Sequence, residues 1–283
     1  MTWLAVNYIR REFSAPTKRI DNCIYSLRCS VSGGTFASAT QAFDNYSLLQ
    51  IYRIHAPYAM SPKRPNPTLP PKPTSLWTKL FGLFKVRELG WLGYQPQGPI
   101  DRAIVHRSWG LLADTPESYG PNFDFHTWFH VWGPLSAIVW HWSLITLIFL
   151  FLLKPIRWLL SRVWYQPGDG SRMEKLQLNR FEYRCVAEAD TTFLNAEKQE
   201  NQKALVKLRY EGDPYLFTAV TLAEAAKIIL RQQGTEAHKI GGGILTPATL
   251  GSRYVNSLRE GGVLLEVGRN TQAMGNGPWS KMK

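Results

Sequence analysis

Residues 133–153 read GPLSAIVWHWSLITLIFLFLL, a stretch that contains no Asp, Glu, Lys or Arg. A helix needs about 20 predominantly apolar residues to cross a bilayer, so this segment is long enough. Trp140 and Trp142 lie near one end and Trp158 near the other, as in the aromatic belts of membrane proteins. The sequence therefore predicts a membrane anchor, running from Gly133 to Leu153 with these tryptophans at its interfaces.

The flanking charges leave two membrane topologies open. Lys154, Arg157 and Arg162 follow the apolar stretch, and the positive-inside rule would then place the C-terminal portion in the cytosol. In a single-pass protein, the bulky N-terminal portion would have to cross the membrane. A bend at Pro155 would instead keep both soluble portions on one side, with residues 156–160 continuing along the interface. We favour this monotopic form over a full crossing, and over a helix buried in protein, which the domain would have to wrap completely.

The composition indicates which kinds of partner the chain could bind. It has 283 residues, a formal net charge of +12 and 45% hydrophobic residues, which is sufficient for a core. The positive charge suggests nucleic acid, an anionic membrane or an acidic substrate. No zinc-finger, RNA-recognition or helix-turn-helix signature is present, so we expect no nucleic-acid partner. A membrane surface is the partner we predict.

Cysteine and histidine give no evidence of a metal site. The three cysteines form no C-x-x-C pair, which favours a reducing compartment without a disulfide framework. His126 and His130 are four residues apart and His141 follows, but the chain has only six histidines, too few for a membrane di-iron centre. We therefore predict no metal, with these rings as polar anchors at the interface.

The portion before the anchor alternates helices with a single strand. We expect an amphipathic helix over Leu4–Phe13 and a strand over Ile24–Val31. Thr35 is a plausible N-cap for a helix over Phe36–Tyr52. Seven prolines between residues 55 and 75 indicate an extended basic loop. The apolar and basic residues 76–86 predict a core helix or an interfacial one.

The portion after the anchor has a sheet pattern followed by helices. Phe181, Tyr183, Cys185 and Ala187 alternate with charged residues, which predicts a strand with one buried face. The remaining expectations are an antiparallel strand over Ala204–Tyr210, a helix over Phe217–Gln232, a second helix capped by Thr246 with Pro247 as its first residue, and a final strand over Val263–Val267.

Two glycine clusters, Gly33–Gly34 and Gly241–Gly243, are candidates for phosphate-binding loops. Neither supplies G-x-G-x-x-G between a strand and a helix. The cluster at Gly241–Gly243 precedes a predicted helix N-terminus, where backbone N–H groups can hold an anion, so Gly242, Gly243 and Thr246 are weak anion-site candidates. No nucleophile, base and orienting group can be identified from the spacing of Ser, His and Asp, so the catalytic residues stay unknown.

Five motifs together resemble the saccharopine dehydrogenase-like oxidoreductases, including the trans-acting enoyl reductases. They are Ser32-Gly33-Gly34-Thr35, Arg107-Ser108-Trp109-Gly110-Leu111-Leu112, Gly212-Asp213-Pro214-Tyr215, Leu222-Ala223-Glu224-Ala225-Ala226 and Gly242-Gly243-Ile244-Leu245-Thr246-Pro247-Ala248. We interpret Gly33, Gly34, Thr35, Asp213, Pro214, Tyr215 and Pro247 as fold-forming turn residues rather than catalytic ones.

The resemblance implies an α/β (α+β) fold: a substrate- and dimerisation-type domain with a mixed or antiparallel sheet and packed helices, interrupted by one apolar membrane-associated helix or hairpin. The predicted segments are 1–56, the first part of this domain; 57–105, the basic loop and connector; 106–130, a family-motif segment; 131–164, the membrane-associated helix or hairpin; 165–267, the second part of the domain; and 268–283, a tail.

The resemblance also implies function. Family members carry out NAD(P)-dependent reduction, of lipid-related substrates in the enoyl reductase branch, and eukaryotic members associate with membranes or lipid droplets. The expected location is the cytosolic face of a lipid droplet, the endoplasmic reticulum or a mitochondrial membrane.

The family's N-terminal Rossmann fingerprint is missing from this sequence. We therefore expect a C-terminal portion, arising from a truncated gene model or from a form that has lost cofactor binding. NAD(P) is implied for full-length members and no cofactor for this chain as it stands. The alternative is a non-catalytic membrane or lipid-droplet interaction protein. Without the Rossmann domain, the helix over residues 36–52 would expose an apolar surface. Such a surface predicts that the chain forms a homo-oligomer.

Overall fold

One seven-stranded sheet organises the protein in a computed structural model that describes residues 1–29, 33–65, 75–163, 179–193 and 202–269. The strands, in chain order, are β1 (Thr17–Arg28), β2 (Phe84–Val86), β3 (Gly90–Tyr94), β4 (Asp124–Val131), β5 (Arg180–Ala189), β6 (Lys203–Glu211) and β7 (Leu264–Arg269).

The sheet is mixed, with the order β2-β3-β4-β1-β5-β6-β7. Strand β1 runs parallel to β4, and every other neighbouring pair is antiparallel. The predicted α/β class with a mixed sheet is confirmed. The predicted antiparallel pairing of the two strands after the anchor is confirmed too, with Cys185 opposite Val206.

Ten helices surround the sheet in the described ranges. They are α1 (Thr2–Phe13), α2 (Gly33–Asn45), α3 (Leu48–Ile54), α4 (Leu76–Phe81), α5 (Gly98–Leu112), α6 (Pro134–Leu152), α7 (Lys154–Val163), α8 (Pro214–Arg231), α9 (Glu236–Ile240) and α10 (Gly251–Glu260). Short 3₁₀ turns precede α10 and follow β5.

The main core lies between one face of the sheet and helices α1 and α5. Because side chains alternate between the faces of a strand, Ile20, Phe125 and Cys185 from three adjacent strands point to the same side. They pack with Val6 and Ile9 of α1, all five side chains being almost fully buried. A smaller cluster around Cys23, Val186 and Leu205 lies on the opposite face.

Several predicted element boundaries were wrong. The first strand begins at Thr17 rather than Ile24, because the chain turns at Ser14 in a left-handed conformation and pairs with β5 from Thr17 onward. The helix predicted over residues 36–52 is two helices. A capping box, in which Ser47 and Gln50 satisfy each other's backbone N–H groups, starts α3 and separates it from α2.

Two further predictions need correction. The stretch 76–86 is a short helix and a short strand, separated by Gly82 in a left-handed conformation. The segment at Pro247 is a 3₁₀ turn over Pro247–Leu250, and regular helix begins at Gly251. The predicted tail lies outside the described residues from residue 270 onward.

A buried histidine joins the loop after α3 to the core. His106 of α5 is fully buried, and Tyr58 stacks on it with 3.8 Å between ring centroids. The Tyr58 hydroxyl donates a hydrogen bond to the Phe123 carbonyl, which holds the loop against the sheet. Neither ring nitrogen of His106 has a hydrogen-bond partner among the described residues, and burial lowers the pKa of His106 to about 3.

This histidine predicts an acid-sensitive fold. Between pH 6.5 and about 3, the unfolded chain takes up a proton at His106 that the folded protein does not bind. The free energy of unfolding therefore keeps its full value above pH 6.5. Below pH 6.5 it falls as the pH decreases, by up to about 1.4 kcal/mol per pH unit. Urea unfolding in mild detergent at several pH values is expected to show a shallower pH dependence for His106→Phe than for wild type. Equal slopes would contradict the assignment.

Candidate membrane-binding site

One end of the sheet carries the apolar helix. Strands β1 and β4 finish at this end and β5 begins there, since Arg28 lies opposite Arg180 and Ile24 opposite Phe129. Helix α2 follows β1, and α6 follows β4 after only two residues, Trp132 and Gly133. The segment between β4 and β5 therefore leaves the sheet and returns to it at the same end.

Helix α6 begins with a local cap and is fixed to the sheet by one tryptophan. The backbone N–H of Gly133 donates to the Ser136 hydroxyl at 2.8 Å, and Pro134 occupies the first turn. The Trp140 indole stacks on Phe129 and donates a hydrogen bond to the Tyr94 carbonyl at 2.8 Å. The base of α6 is therefore rigidly attached to the sheet.

The rest of α6 exposes apolar side chains. Only 11% of its 18-residue apolar stretch is buried, and its buried residues are Ala137 and Leu144. Leu135, Val139 and Phe149 have exposed fractions of 61–78%. At about 1.5 Å per residue, the 19 residues of α6 extend about 28 Å. In the described part of the chain, this helix is not wrapped by the domain, as the soluble alternative would require.

The helix ends in a turn closed by a buried arginine. Leu153 has an extended backbone, and α7 begins at the next residue, Lys154. Arg157, the fourth residue of α7, has only 6% of its side chain exposed. The Arg157 guanidinium donates to the Phe151 carbonyl at 2.6 Å and to Asp44 of α2 at 2.6 and 3.0 Å. This arrangement holds α7 and α2 against the far end of α6.

Neighbouring helices extend the apolar surface. Helix α4 contacts α6, and its Leu76, Trp77 and Leu80 are 55–81% exposed. Leu48, Leu49 and Tyr52 of α3 are 56–75% exposed. This agrees with the expectation of an apolar surface on residues 36–52, although the exposed residues lie on α3. Exposed apolar side chains that cluster on a surface indicate a contact with a partner or a membrane.

The predicted aromatic anchors fall into two groups. Trp142 and Trp158 are 47% and 57% exposed, and Leu153 is 39% exposed. Trp140, in contrast, points to the sheet and positions the helix. Trp128, which also flanks the segment, stacks on Phe84 and donates to Asp21. Trp164, a further tryptophan that follows the apolar stretch in sequence, lies outside the described residues.

The Asp213-Pro214-Tyr215 motif is a helix cap. Asp213 is fully buried, its carboxylate accepts a hydrogen bond from the Tyr215 backbone N–H at 3.0 Å, and Pro214 is the first residue of α8. The second carboxylate oxygen accepts from the Asn179 side chain at 2.7 Å. Its observed contacts are those of a fold-forming group.

The other glycine motifs lie in separate places. Gly33, Gly34 and Thr35 form the first turn of α2, so the prediction that Thr35 caps this helix was wrong. Gly241, Gly242 and Gly243 all have positive φ and border a cavity of about 560 Å³. Its other lining residues include Ile229, Leu245 and Leu250, and are mainly apolar.

The structure adds little support for the predicted anion site at Gly242, Gly243 and Thr246. The helix that follows Thr246 is only a four-residue 3₁₀ turn, over Pro247–Leu250. The Thr246 side chain is buried and accepts a hydrogen bond from the Ser108 hydroxyl at 2.9 Å. The row of free N–H groups expected at an α-helix N-terminus therefore does not start at Thr246.

The structure places His126, His130 and the two buried cysteines in separate contacts. No cluster of three His, Cys, Asp or Glu residues suited to a metal ion occurs in the ranges described above. His126 is bound to Asp124 at 2.8 Å, and His130 lies against Tyr25. Burial raises the pKa of the Cys23 and Cys185 thiols to about 12, so both stay protonated near neutral pH.

Comparisons with known proteins identify no relative. No protein-family model matches the chain, no curated protein matches it, and no solved structure matches it. The resemblance to saccharopine dehydrogenase-like oxidoreductases therefore stays a prediction from the quoted motifs.

The docking of α6 depends on a glycine in β3. A Cβ atom at Gly93 would lie 2.5 Å from Cδ1 of Trp140, whereas one at Gly133 would meet nothing within 4 Å. Gly93→Ala is therefore expected to displace the Trp140 indole and to cost about 1–3 kcal/mol of unfolding free energy. Gly133→Ala serves as the control. Tryptophan fluorescence and urea unfolding measure both effects, and equal stability of the two variants would contradict this docking.

Proposed function

We propose that this protein is a monotopic membrane protein whose α/β domain is held at the membrane surface by α6. The single observation that carries the proposal is an uncharged helix of 19 residues, largely exposed, on a rigid sheet. Leaving this apolar surface in water is unfavourable by roughly 25 cal/mol for each Å² that lipid could cover. Insertion into one leaflet removes that cost.

The sheet supports the monotopic form over a full crossing. Residues on both sides of α6 belong to one sheet, because β1 pairs with β4 before the helix and with β5 after it. A single crossing would put these strands on opposite sides of the membrane. A second crossing would have to lie between α6 and β5. The helix that the structure describes there is α7, whose 10 residues include Lys154, Arg157 and Arg162 and are too short to span.

The biochemical role of the domain rests on the motif resemblance. It supports a membrane-associated saccharopine dehydrogenase-like oxidoreductase that acts on a lipid-related substrate, with NAD(P) as the cofactor that the resemblance implies. The observed role of Asp213 as a helix cap fits equally well with the alternative, a non-catalytic membrane or lipid-droplet interaction protein. Binding of a nicotinamide dinucleotide to the purified chain, measured by calorimetric titration, would count against the non-catalytic alternative, and neither outcome of the titration affects the membrane proposal.

Charged substitutions on α6 test the membrane proposal. Ile145→Lys combined with Phe149→Lys places two charges on exposed positions of the helix, each costing about 2.5–3.5 kcal/mol in lipid. We expect wild type to stay in the membrane pellet after alkaline carbonate washing, and the double variant to move to the supernatant.

A matched control uses two exposed apolar residues outside the anchor. Leu230→Lys combined with Ile244→Lys changes side chains that are each 78% exposed, and is expected to remain in the pellet. Quantitative release of wild type by carbonate, or equal behaviour of the two double variants, would contradict the proposal.

A further inference from the structure

Helix α7 has two faces of different chemistry. Arg157 points inward, toward Asp44 and the end of α6. Lys154, Trp158 and Arg162 are spaced four residues apart, so they follow one another along a single stripe of the helix. All three are exposed, and the Arg162 guanidinium carbon lies 4.2 Å from the centre of the Trp158 ring. We call Lys154, Trp158 and Arg162 the α7 stripe.

The charged residues of the helices that carry the exposed apolar side chains are mostly basic. Helices α2, α3, α4, α6 and α7 contain five basic residues and one acidic residue, whereas the whole chain has 33 basic and 21 acidic residues. The single acid, Asp44, already pairs with Arg157. The exposed bases Arg53, Lys79, Lys154 and Arg162 form no ion pair among the described residues.

This charge matches an anionic membrane surface. An interfacial helix carries Lys or Arg beside Trp and Leu, with its apolar side chains at the boundary between headgroups and acyl chains. Leu159 lies next to the stripe and is 53% exposed. Each base held near an acidic bilayer strengthens binding about fivefold at ordinary ionic strength. The stripe begins one residue after Leu153, where the membrane segment ends.

We propose that the α7 stripe binds the headgroups of acidic phospholipids, so that the protein selects membranes that carry anionic lipid. The inference rests on the proposed function, because α6 brings α7 to the bilayer. Helix α6 supplies attachment that does not depend on lipid charge, and the α7 stripe supplies the selection. Arg157 positions the stripe by fixing the inner face of α7.

Vesicle flotation separates these two contributions. The purified full chain, in mild detergent, is mixed with phosphatidylcholine vesicles with or without phosphatidylserine, and the detergent is removed. Wild type is expected to bind both kinds and to prefer the acidic vesicles by about 25-fold, about fivefold for each of the two bases. High salt is expected to abolish the preference and to leave binding to the neutral vesicles.

Substitutions in the stripe identify its residues. Lys154→Gln combined with Arg162→Gln is expected to lose the preference, while the charge-conserving pair Lys154→Arg and Arg162→Lys retains it. Arg231→Gln combined with Lys239→Gln removes two exposed bases outside the anchor helices and is expected to behave as wild type. Circular dichroism checks that all variants are folded.

The outcomes distinguish this inference from the proposed function. Equal binding of wild type to both kinds of vesicle would overturn the lipid selection and leave the membrane attachment intact. A preference that survives the loss of both stripe charges would overturn the assignment to α7. Binding of an RNA oligonucleotide that depends on these charges, with flotation unchanged by their removal, would also overturn it. Failure to bind neutral vesicles would count against α6 as the anchor.

Discussion

The pairing of β1 with both β4 and β5 is the constraint on which the rest of the structure depends. These two partners lie on opposite sides of the apolar helix in sequence, but they lie on either side of β1 in the sheet. Backbone hydrogen bonds along both edges of β1 therefore require that the inserted segment starts and ends on the same side of any membrane. The topology we propose follows from this pairing rather than from the hydrophobicity of α6.

Two side-chain contacts hold α6 and α7 in place. Trp140 fastens the base of α6 to β3 and β4, and Arg157 closes the far end against α2. The two helices are separate because Pro155, the second residue of α7, cannot donate the backbone hydrogen bond of a continuous helix. An ion pair at Arg157 carries a desolvation cost, which hydrogen bonds to Asp44 and to the Phe151 carbonyl offset. The consequence is a defined orientation of α7 relative to the exposed face of α6.

Much of the fold could be predicted because the signals were local. The alternation of Phe181, Tyr183 and Cys185 predicted β5, and the uncharged stretch predicted α6, since each pattern needs only neighbouring residues. The predicted start of β1 was wrong because pairing with β5, which is distant in sequence, decides it. The capping box at Ser47 and Gln50 was present in the sequence and could have predicted the break before α3.

The candidate site was predictable in part for the same reason. Trp142 within α6 and Trp158 after it are exposed, as the aromatic pattern indicated. The inward role of Trp140, in contrast, depends on Gly93, 47 residues earlier in the chain. No sequence period reports such a contact. Likewise, Arg157 and Arg162 look equivalent in sequence. Arg157 forms a buried ion pair only because Asp44 lies beside it, whereas Arg162 is a surface charge.

The sidedness of the chain tests the central claim most directly. Arg11→Cys and Arg231→Cys place thiols on exposed positions before and after α6, in a Cys29→Ser background that removes the exposed native thiol. A membrane-impermeant maleimide is then added to sealed membrane vesicles that contain either variant. The account predicts that both thiols react from the same side. Modification of one thiol and protection of the other, until the vesicles are opened, would contradict it.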